Sequence, residues 1–326
     1  MSPRADDRDR RARAELALAA GGVLIVDKPA GPTSAQVVAK AKRALGARRV
    51  GHTGTLDPMA TGVLPLCVGS ATKIAGYLLA DDKVYEGALM LGVETDTLDA
   101  AGAITAEDRA AAAAVDEAAV RACAARFVGP GEQVPPMYSA LRQRGRRLHQ
   151  LARAGQVVER APRAITIYEL TLTDLALPEV RFRVHCSKGT YVRSLAADIG
   201  AALGCGAHLT ALRRVRSGPF ALADAVALAD LSPESAADAL IPVERALPHL
   251  PSLTVAADRC RDVASGKKLT WHDLAAELPP ATGGAVKLTS ERGQLLALIA
   301  GPEANTSASE RIQYLRVVPS DLTRRA

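Results

Sequence analysis

Apolar residues cluster and alternate along this chain in a way that predicts a mixed α/β protein. Residues 22–26 (Gly-Val-Leu-Ile-Val) are a short β-branched run, the mark of a buried strand. Pro29-Ala30-Gly31-Pro32 then turns the chain. Thr33 or Ser34 can cap a helix whose Val37, Val38, Ala41 and Leu45 share one face, and Gly46 ends it. Residues 63–68 predict a second buried strand. Residues 83–91 alternate, with Tyr85, Gly87, Leu89 and Leu91 on one face. Residues 180–186 alternate more cleanly, Val180, Phe182, Val184 and Cys186 against Arg181, Arg183 and His185. Helices are predicted over 107–126, which is rich in alanine, and over 190–203.

Strands that alternate have one covered and one open face, which favours antiparallel pairing over a doubly wound parallel sheet. The expected class is α+β: a mixed, largely antiparallel central sheet with flanking helices, and a small β-rich unit at the C-terminal end. Pro242, Pro248 and Pro251 predict a linker before that unit. The expected organisation is therefore a mixed-charge, poorly ordered tail over 1–20, a large domain over 21–248 and a small one over 249–326.

Composition narrows the classes of function. A chain of 326 residues with 48% hydrophobic and 23% charged residues can bury a large core. The net charge of +6 permits a polyanionic partner without requiring one. Aromatic residues are only 3%, so any stacking on bases must fall to a few individual side chains. The five cysteines are widely spaced and contain no CxxC pair, which argues against a disulfide framework or zinc site and for reduced thiols in the cytoplasm. No apolar run approaches the ~20 residues that span a bilayer. Arg10-Arg11 before an apolar stretch could open an export signal, but Asp6, Asp7 and Asp9 spoil its positive region.

The segment Gly51-His52-Thr53-Gly54-Thr55-Leu56-Asp57-Pro58 carries the clearest chemical signal. Two glycines and a proline forbid a regular helix, so Asp57 is presented on a shaped loop, as functional side chains often are. Other sets are absent. No GxGxxG opens a helix, Gly69-Ser70-Ala71-Thr72-Lys73 lacks the second glycine of a phosphate-binding loop, and neither HExxH nor GxSxG occurs. Thr53-Gly54-Thr55 echoes the phosphorylation loop of P-type ATPases, but the Asp-Lys pair that should precede it is missing. The six histidines lack metal-ligand spacing. Arginines cluster at 48–49, at 142–147 and at 213–216, and Lys267 and Lys268 sit in the C-terminal unit. Clusters beside turns favour phosphate binding.

The ordered segments of the chain resemble the TruB family of pseudouridine synthases. They include Asp27-Lys28-Pro29 with Gly31-Pro32-Thr33-Ser34, the 51–58 loop, Lys83-Val84-Tyr85, Pro135 to Leu141, Lys188 to Leu195, and His208-Leu209 with Leu212-Arg213-Arg214. The resemblance implies a pseudouridine synthase fold with a PUA-like RNA-binding domain over 249–326. It implies isomerisation of uridine 55 in the T loop of tRNA after base flipping, with no cofactor and no metal. By the same resemblance Asp57, Tyr85 and Arg193 are catalytic. Asp57 is the carboxylate, Arg193 its partner, and Tyr85 the ring against the base. Lys28, His52, Tyr191, Leu212 and Arg213 are expected at the substrate. Arg142, Arg144, Arg146 and Arg147, in an insert at about 133–155, are expected on the T arm. Lys267 and Lys268 are expected near the acceptor end. No obligate protein partner is implied and no membrane. The competing readings are a guide-RNA-dependent synthase subunit and a non-catalytic tRNA-folding chaperone.

Overall fold

The computed structural model describes residues 3–79, 82–143, 145–274, 280–281 and 283–318. Eleven strands of these residues form one sheet. Its main path runs Val226–Ala227, Gly22–Lys28, Thr61–Val68, Ala207–Ser217, Lys83–Leu91, Glu179–Cys186, Arg163–Ala176 and Gly129–Gln133. All neighbours on this path are antiparallel except two pairs: Gly22–Lys28 with Val226–Ala227, and Thr61–Val68 with Ala207–Ser217. The α+β class is therefore as the alternation predicted. Leu24, Val26, Leu64, Leu66 and Leu89 bury themselves on one side of the sheet, under helices Ser34–Ala44 and Val192–Ala202. The first of these helices begins in a capping box. Thr33 Oγ1 accepts from the Gln36 amide, and the Gln36 side chain accepts from the Thr33 amide.

The opposite side is divided. Val23, Ile25, Val63 and Cys67 face a second, four-stranded sheet ordered Ser252–Val255, Ala285–Ser290, Leu295–Ala300 and Tyr314–Val317. Leu295, Leu298 and Val318 from this second unit are buried in that apolar layer. It also has its own core, around Val263, Trp271, Leu288 and Ile299. Farther along the sheet the same side is open and polar, with Arg181, Arg183 and His185 outward between buried Val180, Phe182 and Val184.

Two expectations are corrected. Residues expected as a poorly ordered tail form the helix Pro3–Ala20. Ala14 is buried, Leu18 packs on the main core and Arg10 pairs with Asp238 at 3.9 Å, so distant residues supply the contacts that the segment lacks alone. The single helix expected over 107–126 is a strand, Ile104–Glu107, followed by two helices, Arg109–Ala113 and Glu117–Ala125. Asp108 and Asp116 each accept a backbone N–H at the start of one helix, and the second cap interrupts what alanine content would continue.

Candidate active site

Asp57 lies on the loop between strands Val50–His52 and Thr61–Val68, and three anchors fix that loop. Ser34, at the start of its helix, is buried and both accepts from the Leu56 amide at 2.8 Å and donates to the Leu56 carbonyl at 3.0 Å. The Gly31 amide donates to the Pro58 carbonyl at 2.8 Å. Lys28 is wholly buried, and its ammonium donates to the carbonyls of Pro29 at 2.9 Å, Pro58 at 3.1 Å and Ala60 at 2.6 Å. All three ammonium hydrogens are thus spent on backbone. Burial pulls the Lys28 pKa down to about 8, against the pull of Asp57. Lys28, expected at the substrate, is corrected to a clamp on the loop.

Arg193 enters from the first turn of the helix Val192–Ala202. Tyr191 caps that helix and is itself held from both sides by Gln133, which accepts from its amide at 2.7 Å and donates to its carbonyl at 3.1 Å. Arg193 Nε donates to Asp57 Oδ2 at 2.8 Å, and Nη2 donates to Asp57 Oδ1 at 3.1 Å. This is a two-pronged pairing that only a guanidinium can make. Two of the three remaining N–H groups donate to the carbonyls of Thr97 and Tyr138, both at 2.8 Å. A second carboxylate, Asp99, lies 3.6 Å from Arg193 Nε and is fixed by the Thr97 hydroxyl and the Ala101 amide. The Arg193 side chain is 4% exposed and that of Asp57 32%. The carboxylate is therefore gripped on one side and open on the other.

It opens into a cavity of about 330 Å³ lined by Asp57, Tyr85, Tyr191, Arg193, Leu212 and Arg214, among others. Tyr85 and Leu212 are buried, on neighbouring antiparallel strands. Burial pushes the Tyr85 hydroxyl above its ordinary pKa, and the nearby Arg214 cation pulls against that. Burial also raises Tyr191 above its ordinary pKa. Two glycines lie against Arg214, and one of them makes room for its backbone. Gly62 has φ of 98°, and a Cβ there would fall 2.2 Å from the Arg214 carbonyl oxygen. Gly54, with φ of 117°, receives the Arg214 side chain on its carbonyl.

The structure thus brings Asp57, Tyr85, Tyr191, Arg193 and Leu212 to one cavity and leaves other expected residues outside it. Arg213 points to the other side of the sheet. There it donates to Asp27 at 2.7 Å and Thr61 at 3.2 Å and lines a separate groove, outside the Asp57 cavity. Its neighbour Arg214 lines that cavity instead. Alternation from Leu212 could have found it, since residues two apart share a face. His52 is half-buried on the strand Val50–His52, outside the cavity lining. Burial and Arg214 hold its pKa below the ordinary value, and its Nδ1 has no partner among the described residues. Arg146 and Arg147 are exposed on a short hairpin with Arg142–Gln143. Arg144 lies outside the described residues. Lys267 and Lys268 are exposed in the C-terminal unit, where Lys267 pairs with Asp262 at 3.0 Å.

With this geometry established, likeness to known proteins decides the family. The TruB family pseudouridylate synthase N-terminal domain matches residues 42–192, and the tRNA pseudouridylate synthase B C-terminal domain matches residues 193–248. The chain belongs to the TruB family. The tRNA pseudouridine synthase B of Burkholderia mallei (strain ATCC 23344) is 48% identical over 309 residues, 94% of this chain and 96% of that protein. That of Chromohalobacter salexigens is 50% identical over 251 residues, covering 76% and 81%. Among solved structures, a Cbf5-Nop10-Gar1 complex contains a chain 28% identical to this TruB-family protein, with a TM-score of 0.73 over 95% of this chain and 88% of that one.

Proposed function

We propose that this TruB-family protein isomerises uridine 55 in the T loop of tRNA to pseudouridine. In that reaction the N1–C1′ glycosidic bond breaks and a C5–C1′ bond forms. The C5 hydrogen is released as a proton, and N1 is left carrying one. The observation that carries the reading is the two-pronged Arg193–Asp57 pair at the mouth of a cavity walled by Tyr85 and Leu212. A carboxylate so held is an anion of fixed direction. It has free lone pairs toward the cavity, suited to attack on the base or sugar or to steadying positive charge at C1′. Tyr85 offers the uracil a ring face, and Leu212 adds an apolar wall beside it.

A T-loop uridine is stacked, so it must leave the loop to reach Asp57, at a cost of a few kcal/mol that contacts made afterwards offset. Phosphate contacts from Arg146 and Arg147 are suited to holding the T arm meanwhile, reading backbone and loop shape. The four-stranded C-terminal unit is assigned as PUA-like and directed, through Lys267 and Lys268, to the acceptor end. The enzyme acts alone in the cytoplasm, without a guide RNA or obligate protein partner. The curated relatives at 48% identity and nearly full coverage support this over the guide-dependent reading.

Carbodiimide mapping tests the proposal. An unmodified tRNA transcript incubated with the purified protein should acquire one stop, at position 55. A stop elsewhere, or none without added RNA or protein, would refute it.

A further inference from the structure

Arg214 is among the largest wholly buried side chains in the protein, at 1% exposure. Among the described residues no carboxylate lies within 4.0 Å of it. A buried cation without a counter-ion is costly, and a leucine or methionine would pack the same sheet interior at no such cost. Two of its N–H groups are spent on backbone carbonyls. Nε donates to the Val63 carbonyl at 2.7 Å and Nη2 to the Gly54 carbonyl at 3.3 Å. The guanidinium also acts on the Tyr85 phenol, which lies opposite it and whose pKa it pulls down against burial. Arg214 and Tyr85 are directly opposed in the antiparallel register, and both line the Asp57 cavity.

A guanidinium can only donate. Toward Arg214 the Tyr85 oxygen can therefore present only a lone pair, and its own hydrogen turns away from that cation. We propose that Arg214 is a positioning residue that fixes the Tyr85 hydroxyl as a hydrogen-bond donor into the cavity, aimed at a carbonyl oxygen of the flipped base. The inference rests on the cavity being the site of isomerisation. It adds to that reading the reason for a buried cation two residues beyond Leu212. Arg193 holds the carboxylate and Arg214 holds the phenol, so each reacting-side group has its own arginine. The two arginines differ in surroundings: Arg193 has Asp57 and Asp99 beside it, whereas Arg214 has backbone carbonyls and a phenol.

A double-mutant cycle on full-length protein and tRNA transcript separates this role from support of the fold. Arg214→Gln should lower kcat by about tenfold or more with little change in KM. In the Tyr85→Phe background the same substitution should lower kcat by less than about threefold, because the hydroxyl it positions is already gone. Arg214→Lys, which keeps a cationic donor, should lie between wild type and Arg214→Gln. It replaces Arg214→Gln in the cycle if that variant does not fold. Equal losses in the Tyr85 and Tyr85→Phe backgrounds would overturn the proposal and leave Arg214 a structural residue. Absence of pseudouridine from the wild-type protein would instead overturn the assigned reaction.

Discussion

Arg193 holds Asp57 through both carboxylate oxygens, at 2.8 and 3.1 Å, while two of its other hydrogens reach the carbonyls of Thr97 and Tyr138. One side chain thus ties the Asp57 loop to two further segments. Arg193→Lys keeps the charge but cannot make the fork or serve both carbonyls. Single-turnover rates on tRNA should fall by about 10²-fold, with affinity for tRNA little changed, because the carboxylate loses its direction and not its presence. A rate within threefold of wild type would show that orientation by the fork is unimportant.

Lys28 makes the stability of the fold depend on pH in a definite window. Its folded pKa of about 8 lies below the ordinary 10.5. The cost of burying the charged form is fully present below pH 8 and is relieved as pH rises from 8 toward 10.5, where only the unfolded state binds the proton. This group therefore makes stability rise across that window, by about 1–3 kcal/mol. Lys28→Met should be less stable than wild type at pH 9.5, since even the neutral amine there donates two hydrogen bonds to these carbonyls, and should lack the rise. Urea unfolding at pH 7.5 and 9.5 measures both. Parallel pH trends in the two proteins would contradict the assignment.

The C-terminal unit is bound to the large domain by an apolar layer, which bears on its role. Leu298 is wholly buried among Val23, Ile25, Val63 and their neighbours. Leu298→Ala should cost about 2–5 kcal/mol in a denaturant melt. A chain ending at Pro248 would expose that layer and should melt earlier than the full chain. An unchanged melting temperature would mean that the unit contributes reach toward RNA and no support to the fold.

Arg146 and Arg147 are exposed and free to meet phosphates. Replacing both by Ala should weaken tRNA binding and flatten its log–log salt dependence by roughly one to two units. An unchanged slope would place this hairpin off the RNA.

Much of the fold was legible because its signals are local. Alternation at 180–186 and the capping residues before Ser34–Ala44 are read within a few residues. The 51–58 loop declared Asp57 because glycines and a proline leave no regular structure to hide a carboxylate. What was not legible depended on distant partners. The helix Pro3–Ala20 exists through Ala14, Leu18 and the contact of Arg10 with Asp238. Lys28 reads as a surface cation until the carbonyls of Pro58 and Ala60, some thirty residues away, are seen around it. Arg213 and Arg214 differ only by strand phase. Alternation from Leu212 puts Arg214 on the same face, but which face holds the cavity is set by the three-dimensional pairing, which sends Arg213 to Asp27.

The measurement that bears most directly on the account compares wild type with Asp57→Asn on tRNA carrying tritium at uracil C5, alongside filter binding of the same RNA. Asparagine keeps the shape of the loop and can still accept from Arg193, but it has no anionic oxygen to act on the base or sugar. The account predicts stoichiometric tritium release by wild type, no release above background by Asp57→Asn, and tRNA affinity within about threefold between the two, since phosphate contacts carry most of the binding. Tritium release by Asp57→Asn at the wild-type rate would contradict it.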